Sequence, residues 1–205
     1  MPTFDVIVTT FNRLDYTRRT IGSLIKSGAH EKCQRFIIID NHSTDEGMES
    51  FLNDMSHYQK VFVVRRPSND GWATAVNDAL SLSRAEYVFL SNNDVEYEDN
   101  FLDRMFESFS LYPNIGILAV WRHIGHGLTP NGINDANFRD MDNVPAVGWL
   151  MPKKAIEVVG MLSQNGPCLT KGGNGEDTAY VGRMKTAGFL VGAYGRDLGN
   201  HFDGY

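Results

Sequence analysis

Four short apolar segments in this chain each end in a cluster of polar residues. Thr9-Thr10-Phe11-Asn12-Arg13 closes the first and Asp40-Asn41 the second. Arg65-Arg66, with Asn69-Asp70-Gly71-Trp72 just beyond, closes the third, and Asn92-Asn93-Asp94 the fourth. After any one strand, Asn, Asp and Gly are ordinary turn and cap formers. Their return after four successive strands, with Arg13, Asp40 and Trp72 that no turn requires, points instead to a shared ligand site. Asp40 is suited to accept a hydrogen bond from the imide N–H of a base. Asp94 is suited to a hard divalent cation, Mg2+ or Mn2+, for which one or two carboxylates plus substrate phosphates are the usual complement. The turn TTFNRLD has neither the G-x-G-x-x-G nor the P-loop spacing, which disfavours a nicotinamide dehydrogenase or a P-loop kinase.

These residues need a scaffold that brings strand ends together. Segments 4–10, 35–40, 61–66, 86–91 and 115–121 are short and apolar, as buried strands are. Between them, helical periodicity covers 15–27, 72–83 and 99–112, and a helix capped by Thr44 or Asp45 is expected to run to about Tyr58. Strands apolar on both faces and joined by helices predict an α/β fold, a mostly parallel central sheet flanked by helices. Ligands bind such sheets beyond the carboxyl ends of the strands. The second half is less regular. Residues 122–143 form a long loop, 144–151 a strand, 153–159 a short helix, 160–175 a Gly-rich stretch, 176–187 a helix and 190–194 a last strand.

Composition sets the outer limits. At 205 residues, with 42% hydrophobic and 21% charged residues, the chain suits one globular domain spanning 1–205. A net charge of −6 argues against nucleic acid or anionic lipid as a partner. The apolar runs are far shorter than a membrane span needs, and the first residues lack a signal peptide's pattern. Cys33 and Cys168 suggest free thiols in a reducing, cytoplasmic setting.

The ordered set VIVTTFNR, IIIDNHSTDEG, RRPSNDGWATAVNDAL and EYVFLSNNDV resembles the inverting family 2 glycosyltransferases of GT-A fold, most closely over residues 4 to about 110. Within them, the chlorovirus capsid glycosyltransferases are the nearer likeness. GWLMPKKAIEVVG, NGEDTAYVGRMKTAG and LGNH resemble the family's acceptor-side segments more loosely. The resemblance implies a nucleotide-sugar half at 1–120 and an acceptor half at 121–205. The implied donor is a UDP-sugar such as UDP-glucose or UDP-rhamnose, ahead of a dTDP-sugar, and the implied acceptor is a glycan or glycoconjugate hydroxyl. It places Thr9, Phe11, Asn12 and Arg13 in the first nucleotide loop and Asp40 at the base. Asn69, Gly71 and Trp72 fall over the ribose and diphosphate, and Asn92-Asn93-Asp94 at the D-x-D position, with Asn92 replacing its first carboxylate. Asp94 and His201 become the metal ligands, with Mn2+ or Mg2+. Asp177 becomes the general base, with Glu176 beside it. The family often has an Asp where this chain has Ala179.

Other readings compete. Glu176-Asp177 also suits a helix N-terminus electrostatically. Asp94-Val95-Glu96 is a reversed D-x-D in which Glu96 competes with Asn92 for the metal. Arg13 or Arg196 adds positive charge near phosphates. His123-x-x-His126 is loop composition rather than a zinc site, the Phe101/Met105/Phe109 stripe is core, and Trp121 and Trp149 flank a loop where a sugar can stack. A sugar nucleotidyltransferase or a binding module without catalysis are the alternative functions, the first disfavoured by the lack of a Gly-rich basic loop after the first strand.

Overall fold

The computed structural model describes residues 1–120, 129, 132–163 and 175–202. Its strands are β1 (Phe4–Thr10), β2 (Arg35–Asp40), β3 (Val61–Arg65), β4 (Tyr87–Ser91), β5 (Val95–Tyr97), β6 (Ile115–Ala119), β7 (Arg139–Asp140), β8 (Trp149–Pro152), β9 (Leu190–Ala193) and β10 (Gly199–His201). Its helices are α1 (Leu14–Lys26), α2 (Ala29–Lys32), α3 (Met48–Met55), α4 (Trp72–Leu82), α5 (Phe101–Leu111), α6 (Lys153–Val159) and α7 (Glu176–Thr186).

Eight strands form the central sheet in the order β3-β2-β1-β4-β8-β6-β9-β7. From β3 to β4 every neighbour is parallel. β8 is antiparallel to both β4 and β6, while β9 is parallel to β6 and β7 antiparallel to β9. The expected mostly parallel sheet is therefore present, with β8 and β7 running against it.

The two-residue alternation of a strand accounts for both faces being covered. In β1, Phe4, Val6 and Val8 face a core built with Ile21 and Leu24 of α1, Leu52 of α3 and Phe101, Met105 and Phe109 of α5. Ile7 points the other way, toward Val76 and Ala79 of α4, Ile156 of α6 and Tyr180 and Met184 of α7. β2 repeats the division, with Phe36 and Ile38 on the first face and Ile37 and Ile39 on the second. Burying each such side chain contributes about 1.5–3 kcal/mol, so the two layers supply most of the drive to fold.

Several boundaries differ from the sequence expectation. The second helix starts at Met48 rather than near Thr44, because Gly47 enters it at φ 80°. Asp45 serves a different helix: its Oδ2 accepts the Leu14 N–H at the start of α1, at 3.1 Å. The strand expected at 144–151 is β8, shifted to Trp149–Pro152, and the fifth strand stops at Ala119. Part of the expected long loop is β7, which pairs with β9. The short helix α2 was not foreseen, nor were β5 and β10, which form a separate antiparallel pair. His123, His126, Trp121 and Cys168 lie outside the described residues.

The β5 segment is held by hydroxyls. Thr17, Thr20 and Ser23 lie three residues apart on α1, a spacing that puts them on one face of the helix. Thr17 Oγ1 accepts from Asn93 Nδ2 at 2.9 Å, Thr20 Oγ1 from the Val95 N–H at 3.1 Å, and Ser23 Oγ from the Tyr97 N–H at 3.1 Å. All three are buried. Replacing Thr20 with Val strands a buried amide, which costs about 1–3 kcal/mol. Thr20→Val is expected to melt several degrees below wild type in a thermal denaturation, and Thr20→Ser to melt close to it.

Candidate active site

Past the carboxyl ends of β1, β2, β3 and β4 the surface opens into a polar cleft of about 380 Å³. Its lining includes Thr9, Phe11, Arg13, Asn69, Trp72, Asn92, Asn93 and Asp94, all singled out by sequence, and Thr10, Asn41 and Ala75 as well. The polar residues gathered at four strand ends thus share one site, as the parallel topology dictates.

Asp94 is the focus of its charge. Asp94 Oδ2 lies 3.4 Å from His201 Nε2 and 3.6 Å from Arg13 Nη1. The imidazole reaches it because β10 pairs with β5, setting His201 opposite Val95. Asp94 Oδ1 is buried and receives no hydrogen bond. Among the described residues no group of three or more His, Cys, Asp or Glu side chains gathers to hold an ion. One carboxylate with a spare buried oxygen and one imidazole fit a Mg2+ or Mn2+ that takes its remaining oxygens from a ligand's phosphates.

Beside Asp94, two amides serve as clasps. Asn92 Oδ1 accepts from Trp72 Nε1 at 3.0 Å, and Asn92 Nδ2 donates to Ala146 O at 2.9 Å. A carboxylate has no donor for that second bond, which explains an amide where the motif usually has Asp. Asn93 Nδ2 donates to Thr10 Oγ1, the Asn12 carbonyl and Thr17 Oγ1, at 3.1, 3.0 and 2.9 Å. Asn93 therefore ties the tip of β4 to that of β1. Asn12, expected in the nucleotide loop, likewise turns inward, its Oδ1 accepting the Thr44 N–H at 2.8 Å and its own N–H donating to Ser43 Oγ at 2.7 Å.

Asp40 stands behind the cleft wall rather than in its lining. Its side chain is fully buried, with Oδ1 accepting the Ser43 N–H at 3.0 Å and Oδ2 facing Arg65 Nε at 3.4 Å. Asn41 borders the cleft instead, donating to Asn69 Oδ1 at 2.7 Å and accepting from Arg66 Nη1 at 2.6 Å. Its signal in the sequence was its place in the Asp40-Asn41 cluster at the end of the second strand.

The expected acid pair divides in two. Glu176 is buried with its carboxylate facing the Ala73 N–H at the start of α4, and burial pushes its pKa up. Gly71 turns the chain into α4 at a φ of +93°, which favours glycine, and a Cβ there would make ordinary contact with Glu176 Oε1 at 3.9 Å. Asp177 is more exposed, with Oδ1 accepting its own helix's Thr178 N–H at 2.7 Å. Neither lines the 380 Å³ cleft itself, but the contact with Gly71 sets the start of α7 at its margin.

Three further expectations fail on geometry. Trp149 is fully buried, stacked on Tyr180 with ring centroids 6.2 Å apart, and is packing rather than a platform for sugar. Arg196 is engaged by Glu98 at 2.8 and 2.7 Å. Glu96 pairs with Arg19 at 3.2 Å and leaves the ion position to Asp94. The Phe101, Met105 and Phe109 stripe is core, as expected.

Comparison with known proteins agrees with this arrangement. TarP, the poly(ribitol-phosphate) beta-N-acetylglucosaminyltransferase of Staphylococcus aureus, is 34% identical over 96 residues, 46% of this chain and 29% of its own length. N-acetylgalactosaminyltransferase 6 of Drosophila melanogaster is 30% identical over 129 residues, 62% of this chain and 19% of its own. The chain thus spans less than a third of either relative. Among solved structures, GalNAc-T7 with UDP, GalNAc and Mn2+ superposes with a TM-score of 0.80 at 12% identity, over all of this chain and 45% of that one. The mannosyltransferase PcManGT of Pyrobaculum calidifontis, with GDP-Man and Mn2+, gives 0.69 at 14% identity, over 96% of this chain and 55% of that one. These likenesses establish the GT-A type of fold. The model for Glycosyl transferase family 2 matches residues 5–161, more than half of the chain, and the protein belongs to that glycosyltransferase family.

Proposed function

We propose that this glycosyltransferase moves a sugar from a UDP-sugar, such as UDP-glucose or UDP-rhamnose, to a glycan or glycoconjugate hydroxyl with inversion, using Mn2+ or Mg2+. The observation that carries the reading is the meeting of Asp94, His201 and Arg13 within one polar cleft at the strand ends. In this reading Asp94 and His201 hold the ion, which when bound supplies Lewis-acid stabilisation of the departing diphosphate. Arg13 adds positive charge on the same side. Thr9, Phe11, Asn41, Asn69 and Trp72 border the nucleoside and diphosphate, with Asp40, Asn12, Asn92 and Asn93 bracing them from behind. The half at 1–120 takes the donor and the half at 121–205 the acceptor.

Asp177 is assigned the general base, withdrawing the proton from the attacking hydroxyl, and Glu176 the task of fixing α4 beneath Trp72. UDP with Mn2+ in GalNAc-T7 and GDP-Man with Mn2+ in PcManGT support a metal-assisted nucleotide donor. The preference for UDP, the inverting course and the chlorovirus likeness rest on the sequence motifs. No helix among the described residues is long and apolar enough to cross a membrane. Cys33 is a buried thiol whose pKa burial pushes up to about 11, and the reducing, cytoplasmic setting rests on the cysteine content of the sequence.

UDP release measured over a panel of UDP-, dTDP- and GDP-sugars tests the reading. Turnover is expected with Mn2+ and a UDP-sugar, and to be lost in Asp94→Ala and on chelation. No turnover with any donor, together with unaltered nucleotide binding by Asp94→Ala, overturns it. Asp177→Asn is expected to lower transfer by about 10²–10⁴-fold while still binding UDP with Mn2+. Glu176→Gln, which keeps an acceptor for Ala73, is expected to stay within a few-fold of wild type.

The Glu176 pair also predicts a pH dependence. Because its pKa is raised on folding, ionisation of Glu176 opposes the folded state. Its contribution is fully present below the ordinary Glu range and is lost as pH rises through the raised value. Melting curves of wild type and Glu176→Gln are therefore expected to coincide at low pH, with the variant gaining on wild type toward neutrality.

A further inference from the structure

His201 owes its place at Asp94 to a two-stranded pair of only three residues a side. Strand pairs this small are marginal in water unless something else packs them. At one end, Leu198 is buried, its N–H donating to Val120 O at 2.8 Å and its carbonyl accepting the Glu98 N–H at 3.0 Å. At the other end stands Phe202, whose N–H donates to the Asp94 carbonyl at 2.9 Å.

The Phe202 ring is clamped from two sides by α1. Its centroid lies 5.1 Å from that of Tyr16, tilted by 54°, and the Arg19 guanidinium carbon lies 3.7 Å from it. Arg19 is oriented in turn by Glu96 of β5, at 3.2 Å. On the far side of Tyr16, Arg13 stands 5.6 Å over that ring and 3.6 Å from Asp94. Tyr16 and Arg19 are neighbours three residues apart on α1, and Arg13 at its N-cap reaches the Tyr16 ring, so the three form one row by contact. The row grips Phe202 at one end and meets the Asp94 carboxylate at the other.

We infer that Phe202 is a positioning residue for the ion site, its clamping between Tyr16 and Arg19 holding His201 against Asp94. The inference rests on the reading of Asp94 and His201 as ligands of a divalent cation. Phe202 touches no reacting atom in it. Its effect passes through the backbone of β10, one residue away from the imidazole. Cation–π contact with Arg19 and the tilted pairing with Tyr16 both favour the docked ring, and so favour the short strand pair that leads to it. Groups that orient a metal ligand from outside typically change metal affinity by about 10–100-fold when removed.

The test is Mn2+ binding to the intact chain with saturating UDP, followed by calorimetry and by the electron paramagnetic resonance signal of free Mn2+. Phe202→Ala is expected to weaken Mn2+ about tenfold or more while leaving metal-free UDP binding unchanged, and Phe202→Trp to stay within about twofold of wild type. Arg19→Met, which removes the guanidinium from the ring without altering β10, is expected to weaken Mn2+ in the same direction and by less. It also guards against misfolding of the Ala variant, with melting temperatures recorded for each. Adding Phe202→Ala to His201→Ala is expected to cause no further loss, because both act through one imidazole. If His201→Ala loses Mn2+ but Phe202→Ala and Arg19→Met bind it like wild type, the positioning role is wrong and the ion site stands. If His201→Ala and Asp94→Ala also bind Mn2+ like wild type, the ion site itself is wrong and the inference falls with it.

Discussion

A strand with one partner leaves the amides of its other edge without acceptors, and burying them unpaired is costly. β5 meets that constraint through α1, whose Thr20 and Ser23 hydroxyls accept the Val95 and Tyr97 amides. Thr17 accepts the side chain of Asn93. Asp94 sits between the Asn93 and Val95 contacts, so its backbone is fixed on both sides by one rigid helix. Its carboxylate then has little freedom except toward the cleft, His201 and Arg13. The other features of the site presuppose this anchoring: β10 needs β5 as a template, and Phe202 needs the Asp94 carbonyl.

Around that anchor the chain uses amides where charge would be awkward. Asn41, Asn69, Asn92 and Asn93 each bond to other protein groups at the cleft wall. An amide can donate and accept in the same place, and it adds no charge to the cleft wall. The carboxylates at these strand ends are dealt with separately. Asp40 is buried against Arg65, Glu96 is drawn off by Arg19, and Glu176, at the start of α7, is buried facing α4. Asp94 alone among these four lines the cleft.

The sequence made the donor-side framework legible because its signal is periodic. β1 and β2 fall on the expected residues, and α4 and α5 within two of theirs, since apolar runs and helical spacing were long enough to count. β5 and β10 were missed because three residues give no period, and their hydrogen bonds come from a helix and from each other. The hydroxyl row on α1 was visible as Thr17, Thr20 and Ser23, but polar residues on a helix are normally read as its solvent face. For Asp40 the strand and its end were legible, but its burial was not, since that depends on Ser43 and Arg65, which enclose the carboxylate from other segments.

More than a hundred residues of chain lie between Asp94 and His201, yet the two side chains end 3.4 Å apart. Closing a loop of that length costs entropy that local contacts do not repay until the closure is made. The sheet from β3 to β4 is assembled from neighbouring segments and needs none of that closure. During synthesis the cleft walls at the ends of β1 to β4 are thus free to take shape well before His201 has left the ribosome. The imidazole then joins Asp94 late, with the docking of a single short segment.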